Sequence, residues 1–280
     1  MQKLQILLCF VVVLALVACS SNKKEEGETV DGETVEETVT VEQLYNEAAD
    51  LLDQENYTSA TRKFEDVERQ FPYSKWATKA QLMAAFSAYK DDRYDEAIFA
   101  INRFIELHPG HEDIDYAFYL KALAFYEQIS DVARDQAMTE AALSSFDALI
   151  KRFPNSQYTR DSKLKRDLTL DHLAGKEMEI GRYYLNRNQV NAAINRFRTV
   201  VQKYETTTHI PEALHRLVEA YYTLGLHSEA NRVAAVLGHN YPGSKWYEDT
   251  YKILDEQSRK QLLEDRSFVD RTVDSLFKPN

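Results

Sequence analysis

The chain has 280 residues, and 44% of them are hydrophobic, which is enough for a sizeable buried core. Its formal net charge of -11 opposes binding to the phosphates of nucleic acids, so we expect no nucleic-acid partner. Only 8 glycines and 6 prolines accompany 17 tyrosines and 13 phenylalanines, a balance that favours packed helices over a turn-rich β fold.

The first residues have the pattern of a bacterial lipoprotein signal. An apolar run from Leu7 to Ala18 is too short to span a membrane. The run leads into Leu16-Val17-Ala18-Cys19, which is similar to the site that lipoprotein signal peptidase recognises. We therefore predict a signal peptide at residues 1–18 and a lipid on Cys19. The serines after Cys19 favour sorting to the outer membrane, so we expect anchoring at its periplasmic face.

Residues 19–40 form the next segment. Serine and lysine come first, followed by glutamate, threonine and glycine, with few apolar side chains. Such a composition buries too little apolar surface to order itself. We predict a lipidated flexible tether whose typical span is about 25 Å.

A repeat begins at Val41. In the second helix of each predicted unit, an alanine is followed by apolar residues four and seven positions later. The five sets are Ala60, Phe64 and Val67; Ala97, Ile101 and Phe104; Ala142, Phe146 and Leu149; Ala193, Phe197 and Val200; and Ala230, Ala234 and Leu237. Because these positions share one helical face, the small residue admits a neighbouring helix while the others pack beside it. The pattern predicts an all-α superhelix of five helical hairpins of the tetratricopeptide type.

Prolines predict where most of the second helices end. Proline lacks the amide donor that a helix needs, and it stands twelve positions after the alanine in four units. These prolines are Pro72, Pro109, Pro154 and Pro242. The fourth unit has Glu205 instead, but its first helix carries Gly181, which is typical of the motif. We expect Ser74, Ser156 and Ser244 to cap the helices that follow.

The repeats suggest a division of the chain. We assign repeats one to three to residues 41–160 and repeats four and five to residues 161–245. An insertion, Ile129 to Ala137, separates the two helices of the third unit. Residues 246–280 carry apolar residues at near-helical spacing and are expected to form capping helices and a tail, because the last repeat would otherwise expose its apolar face.

No catalytic pattern is found. His108 and His111 flank a Pro-Gly turn without a third nearby ligand, and neither a nucleophile motif nor a phosphate-binding glycine loop occurs. We expect no enzyme activity, no metal and no cofactor.

Several short motifs resemble those of the BamD family, the lipoproteins of the machine that assembles β-barrel proteins into the Gram-negative outer membrane. The motifs are Ile101 to Ile105, His108-Pro109, Ile114 to Tyr116, Phe153 to Thr159, Lys176-Glu177, Arg182 to Tyr184, and Asn195-Arg196. The resemblance implies a scaffolding subunit. Its C-terminal repeats would hold the periplasmic domains of the central barrel subunit, BamA, and its partners would include other lipoproteins of the machine. We expect Arg196, Tyr183 and Tyr184 to bind such a partner, although Arg196 also fits an ordinary solvated helix position.

The resemblance also implies that the N-terminal repeats receive unfolded β-barrel precursors, whose chains usually end in an aromatic residue. The repeat offset places candidate groove residues on the first helix of each hairpin. They are Tyr45 in the first, Lys79, Phe86, Tyr89 and Lys90 in the second, and Lys121 and Phe125 in the third. We expect the aromatic residues to contact the peptide and the three lysines to converge on its carboxylate. The alternative is that these residues only pack, with lysines reaching to solvent.

Two other functions are compatible with parts of the sequence. A tetratricopeptide lipoprotein that binds cell-wall synthesis proteins or peptidoglycan would share the lipid signal and the fold. A periplasmic hydrolase is opposed by the missing catalytic motifs. The Asn195-Arg196 and Pro154 to Tyr158 motifs favour the β-barrel assembly machine.

Overall fold

A computed structural model describes residues 40–256 and 258–260. The predicted signal peptide, Cys19 and residues 20–39 of the tether lie outside this part, as does the predicted C-terminal tail beyond residue 260. The described residues contain helices and no strand.

Eleven helices follow one another in the described part of the chain. They are α1 (Val41–Asp53), α2 (Tyr57–Gln70), α3 (Lys75–Lys90), α4 (Tyr94–Leu107), α5 (Ile114–Tyr126), α6 (Ala137–Arg152), α7 (Thr159–Asn186), α8 (Val190–Lys203), α9 (Ile210–Thr223), α10 (His227–Asn240) and α11 (Lys245–Ile253). The first ten form five hairpins, and each helix packs against the next along the chain. Helix α11 packs on the last hairpin, where Leu254 is buried, so the predicted architecture of five hairpins and a C-terminal cap is confirmed.

The alanine pattern forms the core of the stack. Every residue of the five predicted sets has no exposed surface. The need for a small residue at Gly181 is steric, since a Cβ atom there would lie 2.4 Å from Cε1 of Phe197. The pattern therefore marks the positions at which neighbouring helices approach most closely.

The turns inside four of the hairpins share one conformation. Their central residues, Glu55, Asp92, Asn188 and Gly225, have φ values of 60°, 57°, 59° and 72°. The backbone adopts this left-handed conformation for a single residue and reverses direction within three residues. The third hairpin differs because the insertion replaces this turn.

The insertion packs against the long helix α7. Lys176 Nζ donates a hydrogen bond to the carbonyl oxygen of Ala133 at 2.8 Å, and a side-chain carbon of Val132 lies next to Gly175. With 28 residues, α7 is about twice as long as the first helices of the other hairpins. The predicted division after residue 160 falls in its first turn and stays a prediction.

Two of the three predicted serine caps are correct. Ser74 Oγ accepts a hydrogen bond from the amide of Ala77 at 3.0 Å, and Ser244 Oγ accepts one from Tyr247 at 3.1 Å. The prediction was wrong at Ser156, because α7 begins at Thr159 and the Ser156 hydroxyl instead donates to Asp115 at 2.6 Å. The Ser156 oxygen also accepts a hydrogen bond from the amide of Tyr158 at 3.2 Å, so this serine ties the connection before α7 to α5.

Candidate functional site

A groove lies where α3 begins, beside the connection between α4 and α5. Its volume is about 820 Å³. Its walls include Lys75, Trp76 and Lys79 on one side and Leu107, His108 and the turn through His111 on the other, where Glu112 and Asp113 also line it. We call it the Trp76–Leu107 groove. Leu107 is 59% exposed, so the groove presents apolar surface to solvent beside two lysines and two carboxylates.

Tyr45 and Lys79 meet at this groove. The buried Tyr45 ring packs 4.8 Å from the ring of Trp76 and 5.3 Å from that of Phe64. Lys79 Nζ lies 5.4 Å from the centre of the Tyr45 ring and 6.0 Å from that of Trp76. Tyr45 is therefore a core residue that supports Trp76, and the ammonium group of Lys79 is held at the groove by the two rings. Sequence reasoning missed Trp76 and Leu107.

Phe86 and Tyr89 lie further along α3, towards its C-terminal end, and do not line the groove. The Phe86 ring is 6.5 Å from Tyr116 on α5, and Tyr89 lies 5.8 Å from Tyr94. Tyr116 in turn lies 5.4 Å from Tyr158, in a run of aromatic contacts from the second to the fourth hairpin. These two residues help to pack neighbouring hairpins against each other.

The three predicted lysines do not converge on one point. Lys79 and Lys90 are eleven positions apart on α3, a separation of about 16 Å along the helix axis. Lys90 lies near the ring of Tyr57, whereas Lys121 is half-buried on α5. Burial lowers the pKa of Lys121, which the nearby Glu106 partly offsets. Among the lysines predicted from the repeat offset, Lys79 alone lines the Trp76–Leu107 groove.

Phe125 completes the set of predicted groove residues. It packs against Ala122 and Phe146 in the core of the third hairpin. This placement fits the packing alternative, and Phe125 does not line the Trp76–Leu107 groove.

Arg196 lies on the second helix of the fourth hairpin. Its Nη1 donates to both carboxylate oxygens of Glu177, at 3.3 and 3.1 Å, while its side chain stays 41% exposed. Arg196, Tyr184 and Asn195 line a shallow depression of about 230 Å³. The pairing with Glu177 fixes the guanidinium at the surface and leaves part of it free to contact another molecule.

Tyr183 and Tyr184 take different roles on α7. The two rings are 5.7 Å apart in a T-shaped arrangement. Tyr184 packs against the core of the last two hairpins, whereas Tyr183 is 50% exposed beneath the guanidinium of Arg187. Tyr184 therefore lines the depression together with Arg196, whereas Tyr183 is not among its lining residues.

The described residues bring together no group of three or more metal-ligating side chains. None of the described helices combines the length and the hydrophobicity that crossing a membrane requires.

Comparison with known proteins connects this architecture to a family. A profile described as "YfiO: Outer membrane lipoprotein" matches residues 37–237. The chain belongs to the YfiO family. The matched residues contain both the Trp76–Leu107 groove and the surface around Arg196.

Family relatives match over most of their length. A protein of Caulobacter vibrioides is 46% identical over 254 residues, covering 91% of this chain and 83% of the relative. One of Rickettsia prowazekii is 45% identical over 252 residues, covering 90% and 98%. A third, of Neisseria meningitidis, is 37% identical over 251 residues, covering 86% and 92%. Each bears the name "Outer membrane protein assembly factor BamD".

Proposed function

We propose that the protein is an outer membrane protein assembly factor, a non-catalytic scaffolding subunit of the β-barrel assembly machine. The observation that carries this proposal is the 46% and 45% identity, over nine tenths of the chain, to two relatives with that name. We further propose that a lipid on Cys19 anchors the protein to the periplasmic face of the outer membrane. Intact mass measurement of the mature protein tests the anchor, and an unmodified Cys19 at the N-terminus would contradict it.

The Trp76–Leu107 groove is the proposed contact for unfolded β-barrel precursors. Trp76 and Leu107 offer apolar contact to an aromatic side chain, and the ammonium groups of Lys75 and Lys79 can bind a terminal carboxylate through charge-assisted hydrogen bonds. As predicted from the sequence, the aromatic side chain of the peptide contacts apolar residues and its terminal carboxylate contacts lysines. The lysines differ from those predicted, since Lys75 and Lys79 line the groove and Lys90 and Lys121 do not.

A binding experiment tests this groove. The probe is a short synthetic peptide with the sequence of a β-barrel C-terminus, ending in phenylalanine, prepared with a free or an amidated end. We expect amidation and Lys79→Glu each to weaken binding about tenfold, because each removes the charge pair. Lys163→Glu is the matched control, since Lys163 is an exposed lysine on α7 outside the groove. Equal binding of the two peptides by all three proteins would contradict the proposal.

The surface of Arg196, Tyr183 and Tyr184 is the proposed contact for the periplasmic domains of BamA. An interface ion pair contributes more than an exposed one because water is excluded around it. The internal pair with Glu177 holds Arg196 in place for this role.

A charge swap separates the interface role of Arg196 from its internal role. We expect Arg196→Glu to lower copurification of BamA from detergent-solubilised membranes at moderate salt. Combining it with Glu177→Arg restores the internal pair with reversed polarity but places a carboxylate at the proposed interface. Continued loss of BamA in the double variant supports the interface role, and full recovery would contradict it.

A further inference from the structure

A second groove lies between the first two hairpins and is formed by α2, α3 and α4. Its volume is about 440 Å³, and it shares no residue with the Trp76–Leu107 groove. Ala84, Ala88 and Ala100 line it, and small side chains of this kind leave room for an incoming chain. We call it the Phe99 groove after the aromatic residue in its lining.

Phe99 is 72% exposed, although it is a large apolar side chain. It stands two positions after the buried alanine of its repeat. The corresponding residues of the other four repeats are polar, namely Arg62, Ser144, Asn195 and Arg232. Because four of the five repeats have a polar residue here, packing of the repeat does not require an apolar residue at this position. Phe99 has no folding role that its counterparts share, which points to a contact with another molecule.

The charged residues of the groove are three glutamates, Glu65, Glu68 and Glu96, and two arginines, Arg69 and Arg103. Within the described chain, Arg103 pairs with Glu68, and Arg93 pairs with Glu96 at 2.6 Å. Arg69 pairs with Asp66, which lies outside the lining.

Glu65 is left as the carboxylate that a further cation would neutralise. Burial and the neighbouring Glu96 raise the pKa of Glu65, while the positive charge of Arg93 partly offsets this rise. A cationic group brought next to Glu65 would be attracted, whereas a second carboxylate would be repelled.

We propose that the Phe99 groove binds an extended segment of a partner protein, with an arginine or lysine against Glu65 and an apolar side chain against Phe99. The lining carries three carboxylates against two guanidinium groups, and Glu68 and Glu96 are already paired, so a basic side chain against Glu65 matches the groove. A second copy of this chain, with net charge -11, is a poor match, as is the carboxylate end of a β-barrel precursor. The protein would thus hold a basic partner on one groove while the Trp76–Leu107 groove remains open.

Peptide titration against the full chain in detergent tests this inference. The probes are a labelled peptide of alternating arginine and leucine and its counterpart of alternating glutamate and leucine. We expect binding of the arginine peptide alone, and we expect Phe99→Ser and Glu65→Lys each to weaken it about tenfold. Because Phe99 is mostly exposed, Phe99→Ser should leave the thermal unfolding curve unchanged.

Leu164→Ser is the matched control, because Leu164 is 61% exposed on α7, far along the chain from the groove. The Phe99→Ser variant keeps the net charge, so it separates groove binding from general attraction to an acidic protein. The inference is overturned if both peptides bind equally, if Phe99→Ser binds like the wild type, or if Leu164→Ser weakens binding as much as Phe99→Ser does.

Discussion

At the scale of single residues, glycine occurs at two positions of the fold for two different physical reasons. Gly181 is required by space, since its missing side chain admits the ring of Phe197. Gly225 is favoured by its backbone, because its φ of 72° costs a residue with a Cβ atom more free energy than glycine, a cost that Glu55, Asp92 and Asn188 bear in the equivalent turns. The repeat pattern predicted the first of these but not the second.

Alanine substitutions distinguish these reasons in chemical denaturation. We expect Gly181→Ala to lower the free energy of unfolding by about 1–3 kcal/mol through overpacking. Gly225→Ala should lower it by about 1 kcal/mol through backbone strain. Gly110→Ala is the control, with open space and no left-handed backbone, and should stay within about 0.5 kcal/mol of the wild type. A wild-type value for Gly181→Ala would contradict the packing described here.

Glu219 gives a prediction about pH. Its hydrogen bond with His215 and its pairing with Arg216 hold its pKa below the ordinary value of 4.5. A carboxylate whose pKa is lower in the folded state stabilises the fold above its unfolded pKa, and this stabilisation is lost as the pH falls through the folded pKa. We expect the free energy of unfolding to fall less steeply below pH 4.5 in Glu219→Gln than in the wild type. If the free energy of unfolding of the two proteins had the same pH dependence, the Glu219 carboxylate would not contribute to it.

At the scale of helices, the sequence predicted the second helix of each hairpin well. The alanine pattern depends only on which residues share a face, and the prolines mark where most of these helices end. The turns were not predictable in the same way, because Glu55 adopts a left-handed conformation that its residue type does not favour. The start of α7 was also missed, because its N-cap residue is Tyr158, which makes no capping hydrogen bond with its side chain.

The contact between the insertion and α7 can be tested by substitution. Lys176→Met removes the hydrogen bond that joins α7 to the backbone of Ala133. We expect faster amide hydrogen exchange in residues 129–136 and unchanged exchange in α5, since the insertion would open locally without unfolding the hairpin. Lys163→Met is the control for loss of a lysine on the same helix. Equal exchange in both variants and the wild type would contradict a docked insertion.

At the scale of the whole molecule, the helical stack presents two grooves and the Arg196 surface at separate places. The repeat offset found Lys79 but missed Trp76 and Leu107, because the groove lies between the start of α3 and the connection that follows α4 in the same hairpin. Knowing which residues share one face of a single helix does not reveal a groove between two segments of the chain. Phe99 was overlooked for a related reason, since only burial shows that an apolar residue is left uncovered.

The central claim is that the protein assembles outer membrane β-barrels. The most direct measurement is conditional depletion in the bacterium that encodes it, followed by the folded fraction of a heat-modifiable β-barrel protein and the cross-linking of the cell wall. We predict that folded barrels decline and unfolded precursors accumulate before cell-wall cross-linking changes. Unchanged β-barrel folding together with an early change in the cell wall would contradict the account.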